Sequence, residues 1–108
     1  MTIAIVGGTG PEGSGLALRW ALAGEKVAVG SRSRERAEIT AKEIQKRTGK
    51  EVSGGENQLV LDGAEFVVLT IPFSAHAETL TQLRPALRAG QVLVDTTVPL
   101  AASIGGRA

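Results

Sequence analysis

There is no cysteine in this chain, no tyrosine, and only one histidine and one tryptophan. Without cysteine there is no disulfide, no thiol nucleophile and no thiolate-ligated metal. The lone His76 leaves a zinc site without enough ligands. Without tyrosine, chemistry that relies on a Tyr/Lys dyad is excluded. No apolar stretch approaches the roughly 18 residues of a membrane span. Gly7 and Gly8 interrupt the N-terminal apolar run before it reaches the length of a signal peptide. The formal net charge is only +1, so no bulk field points to nucleic acid or to an anionic membrane. Internal repeats and low-complexity segments are missing too. The default expectation is a cytoplasmic protein.

What remains is ordinary in bulk and uneven in detail. A length of 108 residues suits one small domain with its own core. Hydrophobic residues at 43% and charged residues at 21% fit a soluble globular protein. The 14 glycines are the unusual feature, because five of them precede residue 16 in "VGGTGPEGSG". Fixing a glycine forfeits more conformational entropy than fixing any other residue, so such a cluster needs a reason. A turn with positive φ, or a ligand that must approach the backbone, supplies one.

The order of elements frames that cluster. "TIAIV" has the β-branched content and length of a buried strand. A helix is expected from Pro11, whose missing N–H is harmless at the first position, to Gly24. "KVAVGSR" reads as a second strand. "SRERAEITAKEIQKRTG" reads as an amphipathic helix with Ser33 as N-cap, Ala37, Ala41 and Ile44 inward, and Gly49 as its stop. "KEVSGG" is a weak third strand and "ENQLVLDGA" a short helical segment. A strong strand is expected from Phe66 to Ile71, stopped by Pro72. "SAHAETLTQLRPAL" should be helical and irregular near Pro85, and "QVLVDTTVP" should be the fifth strand. Alternating strands and helices with right-handed crossovers give an α/β, Rossmann-type doubly wound parallel sheet, strand order 3-2-1-4-5. The tail "AASIGGRA", with Gly105 and Gly106, suits a linker, so residues 1–108 read as one domain that another segment or chain completes.

Gly8, Gly10 and Gly13 spell G-x-G-x-x-G between the first strand and the first helix. In that setting Gly8 makes the tight turn, Gly10 lets a pyrophosphate approach the backbone, and Gly13 lets the helix pack on the strand. The phosphates sit at the helix N-terminus, where N–H groups and the dipole favour anions. The alternative is a tight turn that binds nothing. Glu12 opposes an anion there unless its side chain points into solvent. About 20 residues past such a motif an acid normally holds the ribose diol of NAD. Here Ser31 and Arg32 stand in that place, with Arg34 and Arg36 after them. Guanidinium and hydroxyl groups suit a 2′-phosphate, so the cofactor expected is NADP(H). A solvated basic helix start, answered by Glu35 and Glu38, is the other reading, and it fits Arg34 better than Arg32. His76 reads as a surface or capping residue with acid–base chemistry as the alternative, Asp95 as a turn or cap, and Trp20 as core.

The stretch "IVGGTGPEGSGLALRWALAGEKVAVGSRSRERAE", with "VVLTIPFSAH" and "VDTTVPL", resembles the N-terminal domain of NADPH-dependent coenzyme F420 reductases, also called F420:NADP oxidoreductases. The likeness runs over essentially the whole chain. It implies hydride transfer between NADP(H) and an 8-hydroxy-5-deazaflavin, coenzyme F420. It also implies that Thr9, Gly10, Pro11 and Glu12 line the pyrophosphate through their backbone, and that Ser31, Arg32 and Arg36 take the 2′-phosphate. Ile71 and Pro72 would contact the nicotinamide riboside, and Val98 and Pro99 would flank the ring. The family's mostly helical C-terminal part, which helps close the deazaflavin pocket and form the homodimer, has no counterpart in these residues. Phe73 and His76 take no role from the resemblance. Hydride transfer needs distance and alignment and no obligatory protein acid or base, so the missing dyad does not count against it. Two other readings stand beside it: an NADP-dependent reductase of an imine or a metal, and a non-catalytic NADP-binding module. All three involve small-molecule cofactors without nucleic acid or membrane.

Overall fold

The computed structural model describes residues 1–96. The sequence periodicities become five strands and three helices: β1 (Thr2–Val6), α1 (Pro11–Leu22), β2 (Lys26–Ser31), α2 (Arg34–Thr48), β3 (Val52–Glu56), β4 (Phe66–Leu69), α3 (His76–Leu83) and β5 (Val92–Asp95). All four ladders are parallel, and the sheet order is β3-β2-β1-β4-β5. That is the doubly wound order expected from alternating elements. The order reverses direction after β1, so the carboxyl ends of β1, β2 and β4 open a crevice there.

Local chemistry sets the helix limits. Gly10 caps α1 in an extended conformation and offers no side chain to its first N–H groups. Ser33 caps α2, its hydroxyl accepting from the Arg36 N–H, and Gly49 ends α2 in the left-handed region at φ 69. Pro85 falls in the short 3-10 turn Arg84–Ala86 that succeeds α3, which is the expected irregularity. Ala37, Ala41 and Ile44 are buried as the periodicity requires, and Trp20 packs against the same cluster.

The sheet carries two cores. On one face Ile3, Ile5, Val27 and Val29 meet Ala17 and Ala21 of α1 and Ala41 and Ile44 of α2. On the other, Ala4, Val6, Val67 and Leu69 meet Leu61, Ala64 and Leu83. Small residues on α1 bring its backbone close to the sheet, and with it the helix N-terminus close to the strand ends.

Two expectations need correction. The segment "ENQLVLDGA" is not helical. The β2–β3 ladder runs on to pair Ser31 with Glu56, and the Asn57 N–H then donates to the Ser31 carbonyl at 2.9 Å. A series of tight turns comes next, with Leu61 buried beneath them and Gly63 at φ 76. The fourth strand ends at Leu69, short of Ile71. Thr70 still bonds to the Val6 carbonyl through its N–H at 3.0 Å. At Gly7, φ 76, β1 then turns out of the sheet, and the β1–β4 ladder ends with it.

Candidate functional site

The crevice is a cleft of about 840 Å³, within the range of small-molecule sites. Its floor is the glycine turn. Positive φ falls on Gly7, while Gly8 stands inside the turn that the Gly10 N–H closes on the Gly7 carbonyl at 3.3 Å. Gly8 is needed for space, since a Cβ there would stand 2.8 Å from Val29 Cγ1 and 3.1 Å from the Ile5 carbonyl oxygen. Its N–H donates to the Gly30 carbonyl at 2.8 Å, locking the turn to β2. Gly13 is equally confined: a Cβ would meet Gly8 Cα at 2.7 Å and the Gly7 oxygen at 2.9 Å. Gly10 is different. A Cβ there would find only the Gly7 oxygen, at 3.8 Å, so this residue faces open space at the head of α1.

The wall on the β2 side is polar and basic. Ser31 is 7% exposed, and its Oγ accepts from the Ser33 N–H at 3.1 Å, leaving its own O–H to donate. Ser31, Arg32, Ser33 and Arg36 all line the cleft. Arg34 does not; it pairs with Glu38 at 2.9 Å on the exposed face of α2, and that pairing holds its guanidinium above its ordinary range. The N-termini of α1 and α2 both reach the cleft, adding two positive dipole ends to two guanidinium groups.

Thr9, Gly10, Pro11 and Glu12 line the cleft from the turn, and Ile71 and Pro72 from the end of β4. Glu12 is exposed at its edge, in the first turn of α1, where a carboxylate complements the dipole. Gly8 and Gly13 act from beneath and do not line it. Val98 and Pro99 lie outside the described residues. His76 and Asp95 do not line the cleft either; His76 Nε2 stands 2.5 Å from Asp95 Oδ2, tying the start of α3 to the end of β5. Nothing in the sequence around either residue signals that partnership.

Sequence reasoning also missed Gly7, Asn57, Thr70, Ala75, Glu78, Thr79 and Gln82 as lining residues. Thr70 donates from Oγ1 to the Val6 carbonyl at 2.8 Å and braces the turn from behind. The position of Asn57, one residue past the carboxyl end of β3, is a usable signal, because in this topology every strand ends at the same edge. Among the described residues, no group of three His, Cys, Asp or Glu side chains could hold a metal. No helix among them is long and apolar enough to cross a membrane.

A glycine turn at the head of a helix, at the switch point of a parallel sheet, defines a Rossmann-type dinucleotide-binding domain. The chain belongs to the family described as NADP oxidoreductase coenzyme F420-dependent, which it matches over residues 2–99. It is 45% identical over 111 residues to the F420-dependent NADP reductase of Methanothermobacter marburgensis, covering 100% of this chain and 49% of that protein. It is 42% identical over 112 residues to the enzyme of the same name from Methanocaldococcus jannaschii, covering 99% of this chain and 49% of that one. A solved structure of an F420-dependent NADP-reductase candidate from Arthrobacter sp. FB24 superposes with a TM-score of 0.75 at 30% identity, covering 93% of this chain and 46% of that one. The chain thus spans about half the length of the curated relatives it matches.

Proposed function

We propose that this domain binds NADP(H) and, in the whole protein, serves hydride transfer between NADP(H) and coenzyme F420. One observation carries the cofactor choice: the carboxyl end of β2 presents Ser31, Arg32 and Arg36 to the glycine-turn cleft, with no carboxylate among them. Among the described residues the cleft's acids are Glu12 and Glu78, on α1 and α3. A ribose diol finds no carboxylate at β2, whereas a 2′-phosphate finds two cations and a hydroxyl donor. The open space at Gly10 fits a pyrophosphate against the head of α1. In this reading Thr9, Gly10, Pro11 and Glu12 hold the pyrophosphate through their backbone, with Gly8 and Gly13 shaping the turn. Ser31, Arg32 and Arg36 hold the 2′-phosphate, Ile71 and Pro72 face the nicotinamide riboside, and Val98 and Pro99 flank the ring.

Bound NADPH supplies the hydride. The chain's part is to hold and orient it, and orientation alone can lower a barrier by several kcal/mol. The family supports the deazaflavin as the second substrate, and the same reading has a cytoplasmic, homodimeric enzyme.

Calorimetry tests the cofactor choice. NADPH is expected to bind about 10- to 1,000-fold more tightly than NADH, the worth of one or two charge-assisted hydrogen bonds. Arg32→Asp should remove most of that preference, and equal affinities in the unaltered chain would sink the assignment. Oxidised coenzyme F420 should lose its visible absorbance when the whole protein is given NADPH. Tight NADPH binding without that loss leaves the other two readings, a reductase of another small substrate and a non-catalytic module.

A further inference from the structure

We propose that Asn57 is a positioning residue of the cofactor site, and that its carboxamide NH2 donates to a phosphate or ribose oxygen of the bound dinucleotide. The inference rests on reading the cleft as an NADP(H) site. Asn57 is 8% exposed, at the carboxyl end of β3, yet it lines the cleft. Its Oδ1 accepts from the Gly7 N–H at 3.1 Å, across 50 residues of sequence. Only an oxygen can accept that N–H, so the amide orientation is determined and Nδ2 points the other way. Among the described residues Nδ2 makes no hydrogen bond, and no buried side-chain nitrogen or oxygen lacks a partner. Nδ2 is therefore not sealed in the interior, at a residue that lines the cleft.

Two glycines serve this side chain. Gly7 takes the left-handed conformation at the point where Asn57 holds it. Gly30 lies inside β2, where a glycine weakens a strand and marks a close approach. A Cβ at Gly30 would stand 2.7 Å from Asn57 Oδ1 and 2.8 Å from Val60 Cγ2. The glycine in "VAVGSR" leaves room for the carboxamide and for Val60. A buried amide so accommodated, with its acceptor engaged and its donors at a phosphate cleft, acts on the ligand as well as on the turn.

Asn57→Asp separates the two roles. An aspartate keeps an acceptor for the Gly7 N–H and replaces the donor with an anion at the cleft. By calorimetry at pH 8, NADP+ affinity should fall about tenfold or more, while the melting point without nucleotide stays within about 2 °C. Relative to the unaltered chain, the deficit should narrow as the pH falls toward that of a carboxylic acid, because a protonated carboxyl regains one donor. In the unaltered, 15N-labelled chain, the Asn57 side-chain NH2 resonances should shift on NADP+ titration, a readout that needs no variant to fold. An aspartate variant that binds as well as the original at pH 8, a deficit that does not narrow, or NH2 resonances that stay in place would overturn the inference alone. An unaltered chain that binds no NADP+ overturns the cofactor reading and this inference with it.

Discussion

Gly10 and Gly13 belong to one motif and answer to different neighbours. Gly10 has φ −75 and ψ 168, a conformation any residue adopts, and a Cβ there meets open space. Gly10→Val should therefore fold with nearly the original melting point while its methyl groups fill the place of the pyrophosphate. Nucleotide binding should fall at least about 100-fold. Gly13→Ala should behave in the opposite way. Its new Cβ would press on backbone atoms of Gly8 and Gly7, at 2.7 and 2.9 Å, which cannot yield as a side chain can. Overpacking of this kind destabilises by about 1–3 kcal/mol, a melting-point loss of roughly 5–15 °C in a domain of this size. Thermal denaturation paired with nucleotide titration checks both variants, and a Gly10→Val chain that is unfolded or still binds would refute the division. The spacing of the motif was legible in the sequence. The division of labour within it was not, because Gly7 and Gly8 are alike as letters and only the path of β1 decides which one takes positive φ.

Among the elements, the connection from α3 into β5 depends on one side chain. Gln91 Nε2 donates to the carbonyls of Leu61 and Ala64 at 2.8 and 3.0 Å, and its Oε1 accepts from the Arg88 N–H at 2.8 Å. It joins the turns before β4 to the turn before β5. Gln91→Ala leaves three backbone groups without that partner and should lower stability by about 1–3 kcal/mol. Gln91→Glu should also destabilise, since a carboxylate can still accept from Arg88 but cannot donate to two carbonyls. Urea titration should show a lower midpoint with an unchanged slope, and a midpoint equal to the original would contradict the account. Elements with local signals were readable: "TIAIV" and "FVVL" as strands, Ser33 and Gly49 as the two ends of α2. The segment after β3 was not. Its apolar letters Leu59, Leu61 and Ala64 suit a helix, but the chain instead tracks the β2 ladder through Glu56 and Asn57. Asn57 itself acts on a glycine 50 residues away, a distance that no local pattern carries.

At the scale of the molecule, the sheet is unevenly covered. Its centre is fully buried, while β5, on one edge, leaves Val92 at 49%, Leu93 at 44% and Val94 at 38% exposed. An apolar edge strand of this kind is a site for self-association. Leu93→Thr should lower the melting point by no more than about 8 °C, because the side chain is already close to half exposed, and should reduce concentration-dependent association in light scattering. A large drop in melting point would show Leu93 to be core after all. The all-parallel ladder also governs when the cleft comes into being. Among the described residues no strand meets its neighbour through a hairpin, and parallel pairing must close long loops before any contact rewards it. On a ribosome, releasing about 5–20 residues each second, the glycine turn emerges before Asn57 and Thr70. Its amide at Gly7 must wait for Asn57, and the Val6 carbonyl for Thr70, before the turn has its final shape. The turn is thus made before the residues that shape it, and a nucleotide enters a sheet that has already assembled.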